Sequence, residues 1–365
     1  MQKLEHYPEG IYFDMPEDEY HSLPMLSASG MKNLLISPTD FYYRSWLNAE
    51  RNDDQEDTQA MIIGRAYHKR ILEGKAAFDQ LYCPAFEPPA QCLVTIDDMK
   101  QALLQAGQTG KSTWKKPDWV IACRTWLPNA LILEIEKQKY DEATAGKTQL
   151  SVELMERIEL AAAMIEKHPQ LNKCFTGGYP EVTIIWKDEE VVGDSKNNGG
   201  VWFKARIDYL KPRAMSDLKT FTNMQNKPVD LALYSAMANM KYHIQAAHYM
   251  NAGDKAVQFA RQHVNGKKMV YANNITPELS DFVMKMVETE GHDFFFVFQQ
   301  KGIAPLARGK KFERGSMYGC GQASIEMAVQ LFKRYYAIYG EDVWVDPQDI
   351  TSFEDANFPP WATEI

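Results

Sequence analysis

No stretch of this 365-residue chain is both apolar and long: the densest run, Phe294–Phe298, falls far short of the roughly 20 residues that span a bilayer. The opening residues, Met-Gln-Lys-Leu-Glu-His-Tyr-Pro-Glu-Gly, contain no apolar segment of the kind that directs secretion. Together these absences predict a cytoplasmic protein without membrane contact. Cysteine is sparse as well. Cys83, Cys92, Cys123, Cys174 and Cys320 form no C-x-x-C pair, which argues against a zinc knuckle or a disulfide framework and for reduced thiols. Positive charge is outnumbered, 40 Lys and Arg against 49 Asp and Glu, so the net charge of −9 speaks against a protein coated in nucleic acid. A net charge is silent, however, about a local basic channel. A complete phosphate loop is missing too: Gly107–Thr113 carries Gly-Lys-Ser, but the glycine required five places before Gly110 is replaced by Gln105, and no strand precedes it.

What the chain does have is apolar matter for a large core, with 45% hydrophobic and 12% aromatic residues in a length suited to one large domain or two. Residues 1–25 read as an extended lead-in, with an apolar run at Gly10–Phe13 and an acidic turn from Met15. Ser27 or Ser29 caps a helix through Met31, Leu34, Leu35 and Ile36, which Pro38 ends. Hydroxyls and free amides at such a helix start also suit a phosphate. The polar segment Glu50–Thr58 lacks an apolar period and reads as a mobile loop. In the helix Met61–Gly74 that follows, Gly64 and His68 share one face, where the glycine leaves room for another backbone beneath the imidazole. That histidine is either structural or a metal ligand joined by carboxylates from elsewhere. Residues 87–170 read as a run of helices over Asp97–Gln105, Trp119–Lys137 and Ser151–Lys167.

Beyond Pro169 the period switches to that of strands. Tyr179–Trp186 and Val201–Leu210 flank a Gly/Asn-rich turn at Asp188–Gly200, and a third strand reads Ala214-Met-Ser-Asp-Leu-Lys-Thr-Phe221. Alternate residues of a strand share a face, so Asp217 and Lys219 point into the same space. A turn centred between Pro212 and Arg213 sets Asp208 opposite Asp217, with Cβ atoms roughly 5 Å apart. Like charges that close repel, and a divalent cation between them is the economical remedy. The alternative, one aspartate ending its strand in solvent, stays open. After a loop at Asn223–Val229, a helix places Gln245 and Tyr249 one turn apart. The remainder reads as a helix over Asp281–Glu290, a buried strand over Gly291–Gln300, a basic, glycine-punctuated loop over Ala307–Ser316 and a helix over Cys320–Tyr339. In that loop Arg308, Lys310, Lys311 and Arg314 form either a solvated face or a path along a phosphate backbone.

In order, the chain therefore carries Gly64-x-x-x-His68, an acidic strand start at Glu181, Ile207-Asp208, Ser216-Asp217-Leu218-Lys219 and Gln245-x-x-x-Tyr249. This order resembles the PD-(D/E)XK nucleases, in particular the RecB-like branch and, through Leu26-Ser-Ala-Ser and Tyr249-Met-Asn-Ala-Gly, the RecE-type (exonuclease VIII) phage and prophage exonucleases. The resemblance spans about Leu26 to Tyr249. It implies an α/β fold, the restriction-endonuclease-like core with a central mixed sheet flanked by helices, in a single nuclease domain over 1–365. N-terminal helices would fill 26–86, an insertion of unassigned role 87–170, the catalytic sheet and Q-x-x-x-Y helix 175–300, and the basic loop and last helix 301–365. It further implies a Mg²⁺-dependent, or Mn²⁺-dependent, exonuclease acting 5′→3′ on ends of linear double-stranded DNA in recombination or repair. Asp208, Asp217 and the Leu218 carbonyl would bind metal, with His68 as a further ligand and Glu181 added to the acidic cluster. Lys219 would orient or help deprotonate the attacking water, Gln245 would hold water, base or phosphate, and Tyr249 would pack or contact DNA. Ser27, Ser29 and Arg65 join the basic residues of 307–316 as DNA contacts. A ring-shaped homo-oligomer and a RecT-type annealing partner come with the resemblance. An iron–sulfur cluster does not, because the iron–sulfur branch wants one cysteine before the histidine helix and three after the Q-x-x-x-Y helix, where this chain has none and Cys320. Other endo- or exonucleases of the superfamily, and a non-catalytic DNA-end or protein-binding module on the same fold, are the remaining readings.

Overall fold

The computed structural model describes residues 7–51, 58–188, 200–223, 227–302 and 304–346. Most of the proposed loops at 50–58, 188–200 and 223–229 lie outside these residues. The chain opens with strand β1 (Gly10–Tyr12) and helices α1 (Glu17–Ser22), α2 (Ala28–Ile36), α3 (Pro38–Arg44), α4 (Gln59–Leu72) and α5 (Gly74–Leu81). Strand β2 (Tyr82–Pro84), helices α6 (Ile96–Gln105), α7 (Lys116–Trp126) and α8 (Leu133–Ala143), strand β3 (Thr148–Leu150) and helix α9 (Val152–Lys167) follow. Strands β4 (Tyr179–Asp188), β5 (Val201–Leu210) and β6 (Ala214–Phe221) then lead to α10 (Val229–Asn239) and α11 (Tyr242–Val264). The chain continues through β7 (Val270–Tyr271), α12 (Pro277–Val287), β8 (Asp293–Gln300), β9 (Ala307–Phe312) and α13 (Ser316–Tyr339).

Several sequence expectations change here, each for a local reason. The acidic turn after Met15 is helix α1, whose first turn holds Glu17, Asp18 and Glu19, where exposed amide groups favour negative charge. Pro38 ends α2 and also starts α3, because proline is tolerated at a first helical position. The single helix expected over Trp119–Lys137 is two, α7 and α8, with Pro128 in the break between them. The basic loop begins as strand β9, paired antiparallel with β8 from Phe294↔Phe312 to Gln299↔Ala307. An edge strand carrying lysines reads like a loop, since charge is how edges avoid pairing with other chains. A Cβ on Gly64 would meet nothing within 4 Å, so no backbone packs beneath His68 there.

Seven of the strands form one mixed sheet, ordered β7-β1-β4-β5-β6-β8-β9, with β1–β7 and β6–β8 parallel and its other pairs antiparallel, while β2 and β3 pair parallel in a small sheet of their own. Helix α11 lies on one face, and its small buried residues Ala246, Ala247, Ala252 and Ala256 let it approach the sheet closely. At Gly253 an added Cβ would come within 2.7 Å of the end of the Met215 side chain, which would have to shift to make room. The opposite face is covered by α4 and α9, through Leu72 and Ile165 against Leu218 and Val297. Between β2 and β3 the helices α6–α8 bury Met99, Leu103, Trp119, Cys123 and Ile132 in a core of their own. The helical stretch therefore packs on itself and leaves the sheet to build the site.

Candidate active site

The hairpin of β5 and β6 pairs Leu210 with Met215 and Tyr209 with Ser216, around a turn at Pro212 and Arg213 closed by Lys211 N–H donating to the Ala214 carbonyl at 2.8 Å. The same register would next bring Asp208 opposite Asp217, and there the ladder stops. The strands part at the two carboxylates. Asp208 Oδ2 instead accepts a hydrogen bond from the Leu218 amide at 2.8 Å, which fastens the fork.

Around this fork the predicted residues converge from five elements. Asp217, fully buried, has Oδ1 accepting from Gln245 Nε2 at 2.9 Å and Oδ2 lying 2.5 Å from Lys219 Nζ. His68 reaches in from α4, with Nδ1 3.6 Å from Asp208 Oδ2. Glu181 stands on β4 between two paired neighbours, Pro180↔Tyr209 and Val182↔Ile207, yet breaks the ladder itself with φ at 55°. A non-glycine residue in the left-handed region costs about 1–3 kcal/mol, and such strain collects at functional sites. Its Oε2 accepts from Arg206 Nε at 2.6 Å.

Charge is crowded here. Burial, then repulsion from Asp208, raises Asp217 to about 6, against the pull of Lys219. Burial and Asp208 likewise raise Glu181 to about 7, and burial raises Asp208 itself. Burial disfavours the Lys219 ammonium, but Asp217 and Asp208 together hold its proton on and leave it above its ordinary value. His68 is lowered by burial and by the Lys219 charge, which favours its uncharged ring. Among the described residues no three acidic, imidazole or thiol groups are packed closely enough to hold one metal ion. The donor chemistry nevertheless fits a hard divalent cation: two buried carboxylates and a backbone carbonyl at a fork, under mutual repulsion that a cation would relieve.

The other predicted contacts divide. Ser27 Oγ caps α2 by accepting from the Gly30 amide at 3.2 Å and lies 3.0 Å from Ser29 Oγ. Arg65, on α4, feels the charge of Glu17. Tyr249 is buried against Phe294 and hydrogen bonds Gln245, so it packs and offers no open face to DNA. Three of the β9-region cations are already neutralised: Lys310 by Asp230 at 2.7 Å, Lys311 by Asp293 at 2.9 Å and Arg314 by both oxygens of Asp254. Arg308 donates to the Ala307 carbonyl. Two residues that sequence reasoning passed over stand at the site instead. The Tyr242 ring lies 5.4 Å from Lys219 Nζ, and Lys32 Nζ lies 5.2 Å from the same ring. The available signal was helical spacing, since Tyr242 precedes Gln245 by three residues and Lys32 follows Ser29 by three.

A family model described as "PDDEXK-like domain of unknown function (DUF3799)" matches residues 27–264, well over half of the chain. The chain belongs to this family. In the PDDEXK-like domain the matched span begins at the Ser27 cap and ends with α11, so it contains the whole fork and both flanking helices. A crystal structure named "Putative exonuclease", from Eubacterium rectale, aligns with 88% of this chain and 85% of its own at 15% identity and a TM-score of 0.44. No curated protein matches the chain.

Proposed function

We propose that this PDDEXK-like protein is a metal-dependent nuclease that hydrolyses phosphodiesters at the ends of linear duplex DNA, 5′→3′, in recombination or repair. The observation that carries the reading is the fork where Asp208, Asp217 and Lys219 meet with Gln245. An ordinary sheet has no use for two buried carboxylates at an unpaired ladder step, since leaving them there costs stability. A cation of the Mg²⁺ or Mn²⁺ type, held by Asp208, Asp217 and the Leu218 carbonyl with His68 and Glu181 alongside, would supply charge neutralisation and a more acidic water.

The chain's own residues do the rest. Gln245 fixes Asp217 through its amide and so sets the direction of the free lone pairs. Lys219 keeps its proton in the company of two carboxylates, which suits it to orienting the attacking water and to offsetting charge on the phosphoryl oxygens. The Arg206–Glu181 pair steadies the acidic residue of β4. The RecE-type assignment, a ring-shaped homo-oligomer, a RecT-type annealing partner and a cytoplasmic place are parts of the same proposal. The first three rest on the Leu26-Ser-Ala-Ser and Tyr249-Met-Asn-Ala-Gly segments. No helix among the described residues is long and apolar enough to cross a membrane.

The test is incubation of end-labelled linear and closed circular duplex with Mg²⁺ or with EDTA, beside Asp217→Ala and Lys219→Ala. Shortening of linear duplex only, only with metal, and only by the unaltered chain is the expected result. Full activity in both variants, or in EDTA, removes the catalytic assignment, and cutting of closed circles makes the enzyme an endonuclease.

A further inference from the structure

Several cations among the described residues are already satisfied. Lys310, Lys311 and Arg314 have carboxylate partners, Arg70 pairs with Glu159 and Glu166, and Lys204 is buried against backbone carbonyls. Lys32 differs. It is half-buried on α2 and makes neither an ion pair nor a hydrogen bond among the described residues. The charges it feels are the repulsion of Lys219 and Lys241 and the attraction of Asp217, a carboxylate already engaged with Lys219. Its one close neighbour of note is the Tyr242 ring, which Lys219 also approaches, at 5.2 Å and 5.4 Å respectively.

Two ammonium groups approach one aromatic ring, partly shielded from water, and only Lys219 has a carboxylate at ion-pair distance. An anion beside Lys32 would give the second cation its counter-charge. The Tyr242 side chain is partly buried, feels the charges of Lys219 and Asp217, and its hydroxyl makes no hydrogen bond among the described residues. Resting on the nuclease reading above, we propose that Lys32 and Tyr242 form a phosphate subsite that grips the backbone phosphate adjoining the scissile one. Lys32 is then a substrate-positioning residue: it fixes the register of the strand so that the scissile phosphate meets Lys219. A compact ammonium suits a phosphate as a point charge, and the ring limits where that charge can go.

The experiment measures binding apart from chemistry. Fluorescein-labelled duplex is titrated with the full chain in EDTA across a salt series, for the unaltered protein, Lys32→Met, Lys32→Arg and Tyr242→Phe. Lys32→Met is expected to weaken binding about 10-fold and to flatten the plot of log affinity against log salt by about 0.7 to 0.9, the loss of one phosphate contact. Lys32→Arg restores most of both, and Tyr242→Phe weakens binding about 3-fold with the salt slope unchanged. In Mg²⁺, Lys32→Met raises KM with kcat held within about two-fold. Affinity and salt slope of Lys32→Met equal to the unaltered chain overturn the proposal, as does an arginine variant as weak as the methionine one. An unaltered chain that neither binds nor cuts DNA overturns the nuclease reading itself, a failure distinct from loss of this subsite alone. If Lys32→Met does not fold, Lys32→Gln takes its place with the same readouts.

Discussion

Two lysines of the same sheet, Lys204 buried and Lys219 half-buried, stand on neighbouring strands in opposite company. Lys204 on β5 donates to the carbonyls of Tyr20 at 2.7 Å, Leu23 at 2.9 Å and His21 at 3.3 Å, the acceptors left over at the end of α1. Lys219 on β6 faces Asp217 at 2.5 Å and the charge of Asp208 beyond it. Burial pushes the Lys204 ammonium down to about 7, with no carboxylate to oppose it. At Lys219 the carboxylates overcome the same burial and raise it. A buried lysine is thus no mark of a site by itself. Neutral dipoles make it a fastening for a helix end; repelling carboxylates make it part of a charge cluster whose balance a substrate or metal can change.

The largest effect that would break this comparison is at Lys219. Lys219→Ala is expected to lower cleavage by about 10²- to 10⁴-fold, the range for a group acting on the proton or charge of the reaction, while the thermal unfolding remains cooperative. A variant that merely melts lower and keeps its specific activity would place Lys219 with Lys204 among the structural lysines. Next comes Lys204→Met, which leaves three carbonyls without their donor and is expected to cost about 3 kcal/mol in urea unfolding with kcat unchanged. Loss of activity without loss of stability would instead bring Lys204 into the site.

The smallest effect sharpens the structural half of the comparison. His248 Nε2 lies 2.9 Å from the Lys204 carbonyl, with its ring against those of Trp186 and Phe203, and burial lowers its pKa to about 4. Because the folded value lies below the ordinary 6.5, the unfolded chain takes up the proton first. The stabilisation is complete above about pH 6.5 and is lost as the pH falls toward 4, by about 1.4 kcal/mol per pH unit at most. Raised carboxylates at Asp217 and Glu181 push the other way over the same window, so the measurement is a difference. The gap in stability between the unaltered chain and His248→Gln is expected to shrink as the pH falls from about 6.5 to about 5. A gap that stays constant removes His248 from the pH dependence.

Legibility followed the range of each interaction. The hairpin of β5 and β6 was readable because alternation and a Lys-Pro-Arg turn are local, and the structure places Asp208 and Asp217 at the step that register demands. The α2 cap was readable in the same way, through Ser27 and the Gly30 amide. Strand β9 was not, since Ala-Arg-Gly-Lys-Lys-Phe has the composition of a loop and becomes a strand only when β8 offers its edge. Nor was the neutralisation of Lys310 and Arg314, whose partners Asp230 and Asp254 lie 80 and 60 residues back along the chain.

The sequence by itself determined the order of the site: a histidine helix, a hairpin carrying two aspartates and a lysine, then a helix carrying Gln245. Those features follow from periodicities of two and 3.6 residues, which every short segment carries within itself. Only the tertiary structure decided which lysine faces carbonyls and which faces carboxylates. Lys204 meets Tyr20 across 184 positions, and Lys32 meets the Tyr242 ring across a still longer span. Contacts so remote are set by how the sheet, α2 and α11 pack together, and no local pattern encodes them.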